Sequence, residues 1–309
     1  MDLKAVLDVG IEVGNLLGSY FASPEKRLYG GYLISSLFLA YFVFWRTKQG
    51  GSFIKYVFDK RIWLSRSSQV DYTLILFNGF VKVLLISHFL LYGLHLAFWV
   101  GEYLRRFSFL SSVGLSQMQT IVGYTIALSV LGDLSVYGVH RLMHEIPFLW
   151  RFHSVHHSAT TLTPLTQLRL HPVELIINNL RSVLIFGLVT GIFDALSSYA
   201  VSKWTFLGVN VFGFVFFAFG ANLRHSHVPL RYWSFIEYVF VSPYQHQIHH
   251  SSDPAHHNKN YGSKFALWDW IFGTLVRSKG IGHVRFGLHS ASHKHNSFVG
   301  ALVSPFRKL

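Results

Sequence analysis

The stretch FSFLSSVGLSQMQTIVGYTIALSVLG, residues 107–132, contains no Asp, Glu, Lys or Arg. About 20 consecutive apolar residues in a helix cross the hydrocarbon core of a bilayer, so this stretch is long enough to span one. Further uncharged stretches of about this length are residues 28–45, 83–101 and 204–223. Residues 182–193 reach the same length when residues 173–180 join them across Arg181. Buried helices of a soluble protein would need a much larger chain to cover this apolar surface.

The composition also favours a membrane protein. Apolar residues make up 51% of the 309 residues and charged residues 13%, which is about half the charged fraction of a soluble domain. These values exclude disordered, collagenous and coiled-coil chains. The absence of cysteine excludes disulfides, cysteine-ligated zinc and iron–sulfur clusters. A net charge of +13 suits nucleic acid or an anionic membrane surface. The apolar content favours the membrane, and no nucleic-acid partner is expected.

The distribution of basic residues predicts the orientation of the chain. Most of the 27 Lys and Arg residues lie in segments 46–82, 140–181 and 224–309. Because cytoplasmic segments carry an excess of Lys and Arg, these segments are predicted to be cytoplasmic, with five crossings and the N-terminus outside. The predicted fold is all-α: a multi-pass integral membrane protein of about four to five spans. It forms one domain, residues 1–309, with a cytoplasmic histidine-rich helical cap, in a bacterial inner membrane or the endoplasmic reticulum.

Histidine is abundant, with 19 residues, and three clusters have regular spacing. The clusters are His140-Arg-Leu-Met-His144, His153-Ser-Val-His156-His157 and His246-Gln-Ile-His249-His250. Residues three or four apart project from one face of a helix, so each cluster presents two or three imidazoles together. The predicted topology brings all three clusters to one side of the membrane. Eight imidazoles are too many for one ion and suit two, and imidazole suits Zn, Cu, Fe or Ni.

Two carboxylates lie near the first cluster. Asp133 precedes His140 by seven residues, on the same predicted helix face, and Glu145 follows His144 directly. Metal-bound histidines usually donate their second N–H to a carboxylate or carbonyl. A carboxylate in an otherwise uncharged run is also costly without a partner. We therefore expect Asp133 to support the site, the alternative being a helix–helix contact.

The sequence around the clusters resembles the fatty acid hydroxylase/sterol desaturase superfamily, especially bacterial sterol-desaturase-like and alkylglycerol-monooxygenase-like members. HRLMHEIPFLWRFHSVHHS at 140–158 resembles the first two histidine boxes of that family, and His171-Pro-x-Glu174 its HP-x-E element. The third-box region, 224–274, contains HSHV, SPYQHQIHHS, NKNYG and WDWIFGT. The resemblance covers about residues 130–280, the predicted catalytic region, and the N-terminal 110 residues show no comparable signature.

The resemblance implies a membrane-bound non-haem diiron oxygenase. Such an enzyme uses O₂ and external electrons to hydroxylate or desaturate a C–H bond of a lipid: a sterol, a fatty acyl chain or an ether lipid. The implied cofactor is two iron ions held by the eight box histidines, with zinc as an alternative in purified protein. The electron donor would be of the cytochrome b5, ferredoxin or reductase type. The resemblance also points to His225, His227 and His171 as further ligands, with Glu174 beside them.

Two other hypotheses about the function remain open from the residues alone. A metal transporter would carry ionisable residues along a pore at mid-membrane, whereas here they gather at one face. A zinc-dependent membrane hydrolase needs fewer ligands, an open coordination position and a Glu base, for which Glu145 is the candidate.

Overall fold

The computed structural model describes residues 3–87, 89–107, 113–206, 208–288 and 292–307. Within these ranges the chain is mostly helical, which confirms the predicted helical class. Strands β1 (Thr205–Phe206) and β2 (Val209–Asn210) form a short antiparallel hairpin. The α-helices are α1 (Leu3–Ala22), α2 (Gly30–Arg46), α3 (Phe53–Val57), α4 (Lys60–Trp63), α5 (Arg66–Val81), α6 (Phe89–Leu104), α7 (Gln117–Glu145), α8 (Pro147–His157), α9 (Pro172–Leu196), α10 (Val211–Ala218), α11 (Pro243–His249), α12 (Leu267–Ile271) and α13 (Phe298–Val303).

Three helices in the described part of the chain are long and apolar enough to cross a membrane. They are α5 with its π-helical continuation (Arg66–Ile86), α7 and α9. Helix α2, with 17 residues, covers most of the predicted run 28–45. The predicted run 83–101 is divided between the π-helical continuation of α5 and α6, which has 16 residues. Residue 88 of the second run and residues 108–112 of the run 107–132 lie outside the described residues. A total of four to five spans and a cytoplasmic cap stay predictions.

The expectation of one spanning helix over residues 204–223 is wrong. Of this run, residue 207 lies outside the described residues, and the rest forms the hairpin, α10 and the start of the 3₁₀ helix Ala221–His225. The Asn210 side chain accepts the backbone N–H groups of Phe212 and Gly213, so it caps α10 at its first turn. Gly220, with φ +99°, then turns the chain between α10 and the 3₁₀ helix. Hydropathy reports apolar surface and does not detect these two interruptions.

Glycines bring α6 and α9 into close contact. A Cβ atom on Gly191 would lie 2.5 Å from the backbone oxygen of Ala97, and one on Gly187 would lie 2.8 Å from Leu96. Small residues allow helices in a membrane to approach closely. Helix α9 therefore packs tightly on α6, while it also contacts α7 and α8, which carry the histidine clusters.

A buried ion pair joins α5 to the segment that follows α8. The guanidinium group of Arg169, fully buried, donates to Asp71 Oδ1 over 2.9 Å. It also donates to the backbone oxygens of Val155 (2.8 Å) and Ser67 (2.9 Å). The second oxygen of Asp71 accepts the hydroxyl of Thr166 over 2.6 Å. These bonds hold α8 and its histidines against α5.

Candidate metal centre

The chain turns sharply between the first two histidine clusters. Pro147 ends α7 because proline lacks an N–H group and disfavours a helical residue before it. Ile146 is accordingly extended, with φ −91° and ψ 115°, and Pro147 is the first residue of α8. The turn thus brings the histidines in the last turns of α7 close to those in the last two turns of α8.

The third cluster lies on the short helix α11, which is capped at its N-terminus. Ser242 Oγ accepts the backbone N–H of Gln245, and the Gln245 side chain accepts the N–H of Ser242. This capping box fixes where the helix begins and thereby sets the face that its histidines occupy.

Nine histidines meet in two groups, in each of which one ring nitrogen per residue lies within 4.8 Å of the others. The first group is His140, His144, His153, His157 and His249. The second group is His156, His225, His246 and His250. Each group draws on more than one cluster, and the stacked rings of His157 and His250, with centroids 4.5 Å apart, join the two groups.

Ring nitrogens in the second group face one another at short range. The Nε2 atom of His225 lies 3.1 Å from Nε2 of His246, 3.2 Å from that of His250 and 3.3 Å from that of His156. His246 and His250 are 3.2 Å apart through the same atoms. A neutral imidazole has one N–H, so hydrogen bonds cannot satisfy all these pairs at once. Ring nitrogens that converge on one point suit a shared cation.

In the first group, three buried nitrogens have no hydrogen-bond partner among the described residues. They are the Nε2 atoms of His144, His157 and His249. Buried polar atoms are rarely left unpaired in folded proteins, and an ion is one explanation when they converge. The donor set is therefore chemically suited to a divalent transition metal.

Backbone carbonyls fix the orientation of three rings. The Nδ1 atoms of His140, His249 and His156 lie 2.8 Å, 2.7 Å and 3.2 Å from the backbone oxygens of Tyr261, Lys259 and Arg169. Since a carbonyl only accepts, each Nδ1 carries the proton and each Nε2 keeps its lone pair. This is the tautomer in which Nε2 binds a metal.

His246 has a different partner from these three histidines. Arg224 donates to its Nδ1 over 2.9 Å. A neutral His246 therefore carries its proton on Nε2, and a metal ion binding at Nε2 would displace that proton. Burial lowers the pKa of Arg224 to about 9, so the guanidinium stays charged at neutral pH and favours the deprotonated ring.

Burial favours the neutral form of six site histidines that lie outside the candidate spanning helices. Burial, reinforced by neighbouring histidines or by Arg224, lowers the pKa values of all six well below the usual range: His156, His157, His225, His246, His249 and His250. A neutral imidazole is the form that ligates a metal. Metal binding at physiological pH therefore does not require most of these rings to lose a proton.

Of the three carboxylates singled out in the sequence, Glu174 touches a histidine of the groups. It accepts the N–H of His153 Nδ1 over 2.9 Å, and both side chains are almost fully buried. Glu174 lies in the first turn of α9, where the helix dipole stabilises a negative charge. Its second oxygen has no partner among the described residues.

The other two carboxylates lie elsewhere. Asp133 accepts the backbone N–H groups of Lys264 and Phe265 and the indole N–H of Trp268, at 2.9–3.1 Å. It therefore anchors the segment after the third cluster to α7. Glu145 pairs with Arg141 over 2.7 Å on the surface, where 42% of its side chain is exposed.

Among the additional histidines, the structure brings only His225 into a group. His227 lies outside both groups and donates to the backbone oxygen of Tyr56 over 2.7 Å. His171 caps α9 by accepting the N–H of Val173, and its Nε2 bonds to the oxygen of Leu302. Sequence reasoning assigned no role to Arg224 or to Tyr261, whose contribution is a backbone oxygen. The NKNYG motif that contains Tyr261 was the only available signal.

The comparisons with known proteins agree with this geometry. A family model described as fatty acid hydroxylase matches residues 125–274, which contain all nine histidines. This region of the chain is similar to fatty acid hydroxylase domains. The resemblance drawn from the histidine clusters is therefore confirmed.

Curated relatives of this region are named for different lipids. The chain is 27% identical to an ornithine lipid hydroxylase of Rhizobium tropici, over 58% of this chain and 49% of the relative. It is 30% identical to an alkylglycerol monooxygenase of Caenorhabditis elegans, over 46% of this chain and 25% of the relative. A beta-carotene hydroxylase of Paracoccus sp. (strain PC1) is 28% identical over 46% of this chain and 81% of the relative. The chain thus spans half or less of the first two relatives. No solved structure is significantly similar to it.

Proposed function

We propose that the protein is a membrane-bound non-haem diiron oxygenase that hydroxylates an unactivated C–H bond of a lipid, with O₂ and external electrons. The observation that carries this proposal is the convergence of nine histidines into two adjacent groups. The relatives supply the reaction class, since the three named above are called hydroxylases or monooxygenases. Hydroxylation is favoured over desaturation on the same ground.

In this proposal each of the two groups holds one ion. One ion would be held by His140, His144, His153, His157 and His249, and the other by His156, His225, His246 and His250. Imidazole ligands alone fit several metals, and the oxygenase relatives favour iron. Bound iron would supply the activation of O₂.

The residues of the chain orient the ligands and exclude water. Glu174 holds the proton of His153 on Nδ1, and three backbone oxygens do the same for His140, His156 and His249. A fixed tautomer and ring orientation raise the affinity for metal. Most of the histidines are buried, so the site has little access to bulk water.

The position of Glu145 disfavours the hydrolase alternative. A hydrolytic base must lie within hydrogen-bond reach of a metal-bound water. Glu145 is instead engaged with Arg141 at the surface. The electron donor is proposed to be a separate protein, because the chain has no cysteine for an iron–sulfur centre. The lipid substrate would enter from the bilayer at the cytoplasmic boundary.

The test is oxygen transfer from isotopically labelled O₂ to lipid. The full-length protein, reconstituted with iron in lipid nanodiscs and supplied with a chemical reductant, is expected to consume O₂ and to add one labelled oxygen atom to a lipid. The same protein loaded with zinc is the matched control and is expected to do neither. Lipid products that lack the label, or equal turnover with zinc, would contradict the proposal.

A further inference from the structure

A cavity of about 300 Å³ lies between α7 and α9, and its α7 residues precede the first histidine cluster in the sequence. Its apolar wall includes Leu128, Val136 and Phe186, and its polar lining includes Arg181 and Lys264. Val136 precedes His140 by about one helical turn in α7. The volume is at the lower end of the range for small-molecule sites, so one chemical group and part of a chain would fill it.

The cavity lies near the level of the lipid headgroups. Helix α7 has 29 residues, whereas a crossing needs about 20, so a crossing that begins at Gln117 ends near Val136. Measured back from its C-terminus at Leu196, α9 re-emerges near residue 177, a few residues before Arg181. Exposed aromatic side chains in the segment after Lys264, such as Trp270, are typical of such a boundary.

The two cations of the cavity lack sufficient negative charge around them. Arg181 bonds through one terminal nitrogen to Ser135 Oγ over 2.9 Å, while its buried Nε–H has no partner among the described residues. The ammonium group of Lys264 has no hydrogen bond or ion pair in the described part of the chain. The nearby carboxylate is Asp133, and three N–H groups already occupy its oxygens.

Uncompensated positive charge at this depth is expensive. Burial lowers the pKa of Lys264, and the positive charges of Arg27 and Arg181 lower it further, against the attraction of Asp133. Ionisable groups in a membrane protein are usually paired or face a ligand pathway. An anion in the cavity would offset the desolvation of both cations and would satisfy the free Nε–H of Arg181.

We propose that this cavity binds the acidic group of a membrane lipid, a phosphate or a carboxylate, with Arg181 and Lys264 as its cationic partners. The apolar wall formed by Leu128, Val136 and Phe186 packs against the first part of the lipid chain. The cavity is partly open, and a lipid would enter it between α7 and α9. Basic pockets between membrane helices are known to bind acidic headgroups in this way. The site stands independently of the oxidation chemistry proposed above.

The test compares phosphatidylglycerol with phosphatidylcholine of matched acyl chains, added to the purified full-length protein in detergent. Binding is followed by native mass spectrometry and by the unfolding temperature. The wild type is expected to prefer phosphatidylglycerol and to gain thermal stability from it. Lys264→Gln and Arg181→Gln are each expected to bind this lipid about tenfold more weakly, the usual loss for one charge-assisted hydrogen bond.

Matched controls separate the proposal from trivial causes. Lys60→Gln removes a positive charge from an exposed position and is expected to leave the preference unchanged. Lys264→Gln removes no hydrogen bond, so it is expected to fold and to keep its metal content, which reports on the histidine groups separately.

Two results would overturn the proposal. Equal lipid preference in the wild type and in both cavity variants would show that the cavity is not the site. Stabilisation by inorganic phosphate as great as that by phosphatidylglycerol, with the same dependence on Lys264, would assign the cavity to a soluble anion instead.

Discussion

Replacing Glu174 with Gln should weaken metal binding without unfolding the chain. The carboxylate accepts the N–H of His153 Nδ1 over 2.9 Å, and neither side chain is exposed to solvent by more than 4%. Gln keeps the shape and an accepting oxygen but loses the negative charge. The charge stabilises a cation bound at the Nε2 atom of His153.

The size of the effect follows from this contact. Loss of a carboxylate that supports a ligating histidine typically lowers metal affinity by about 10- to 100-fold, or about 1.4–2.7 kcal/mol. Glu174→Ala should weaken the free energy of metal binding by about 1–3 kcal/mol more than Glu174→Gln does, because it leaves the buried N–H of His153 without an acceptor. The order of affinity is therefore wild type, then Glu174→Gln, then Glu174→Ala.

The assay is a competition titration with a chelator, with circular dichroism to check the fold. Glu145→Gln is the matched control, since it makes the same chemical change at an exposed ion pair worth about 0–1 kcal/mol. Its metal affinity should equal that of the wild type. The reasoning is refuted if Glu174→Gln binds metal as tightly as the wild type, or if Glu145→Gln loses as much affinity.

Three further predictions concern the buried ion pair, the histidine groups and the packing of α6 on α9. Asp71→Asn should lower the free energy of unfolding by about 3 kcal/mol, because it leaves the buried Arg169 unpaired. Nanoscale differential scanning fluorimetry measures this, and a thermal midpoint within about 1 °C of the wild type would argue against it. His225→Ala should lower the metal content and His227→Ala should not, since of these two residues only His225 lies in a histidine group. Elemental analysis measures this, and a lower metal content in His227→Ala than in His225→Ala would exclude His225 from the site. Gly191→Leu should destabilise the protein by about 1–3 kcal/mol, the usual cost of overpacking, because its Cβ atom would already clash with the backbone of α6. Unchanged resistance to proteolysis in detergent would contradict this close packing of α9 on α6.

The spacing of the histidines is what made the site accessible to sequence reasoning. Residues three and four apart share a helix face whatever the fold, so the three clusters could be read as candidate ligands. His225 was harder, because its position depends on the 3₁₀ helix Ala221–His225, which follows the left-handed Gly220. His227, two residues on, lies outside both groups and bonds to a backbone oxygen instead.

Contacts that involve the backbone could not be read from side-chain types. The oxygen of Tyr261 fixes His140, and any residue at that position would offer an oxygen. Asp133 shares a helix face with His140, yet it accepts the N–H groups of a segment more than a hundred residues later. The run 204–223 contains no charged residue, and the cap at Asn210 decided its structure locally.

The most direct test of the dinuclear site is the number of transition-metal ions per chain in gently purified protein. His144→Ala tests the first histidine group and His246→Ala the second, with His227→Ala as the control. We expect two ions in the wild type and in the control, and fewer in both other variants. One ion or none in wild-type protein shown to be folded would contradict the dinuclear site.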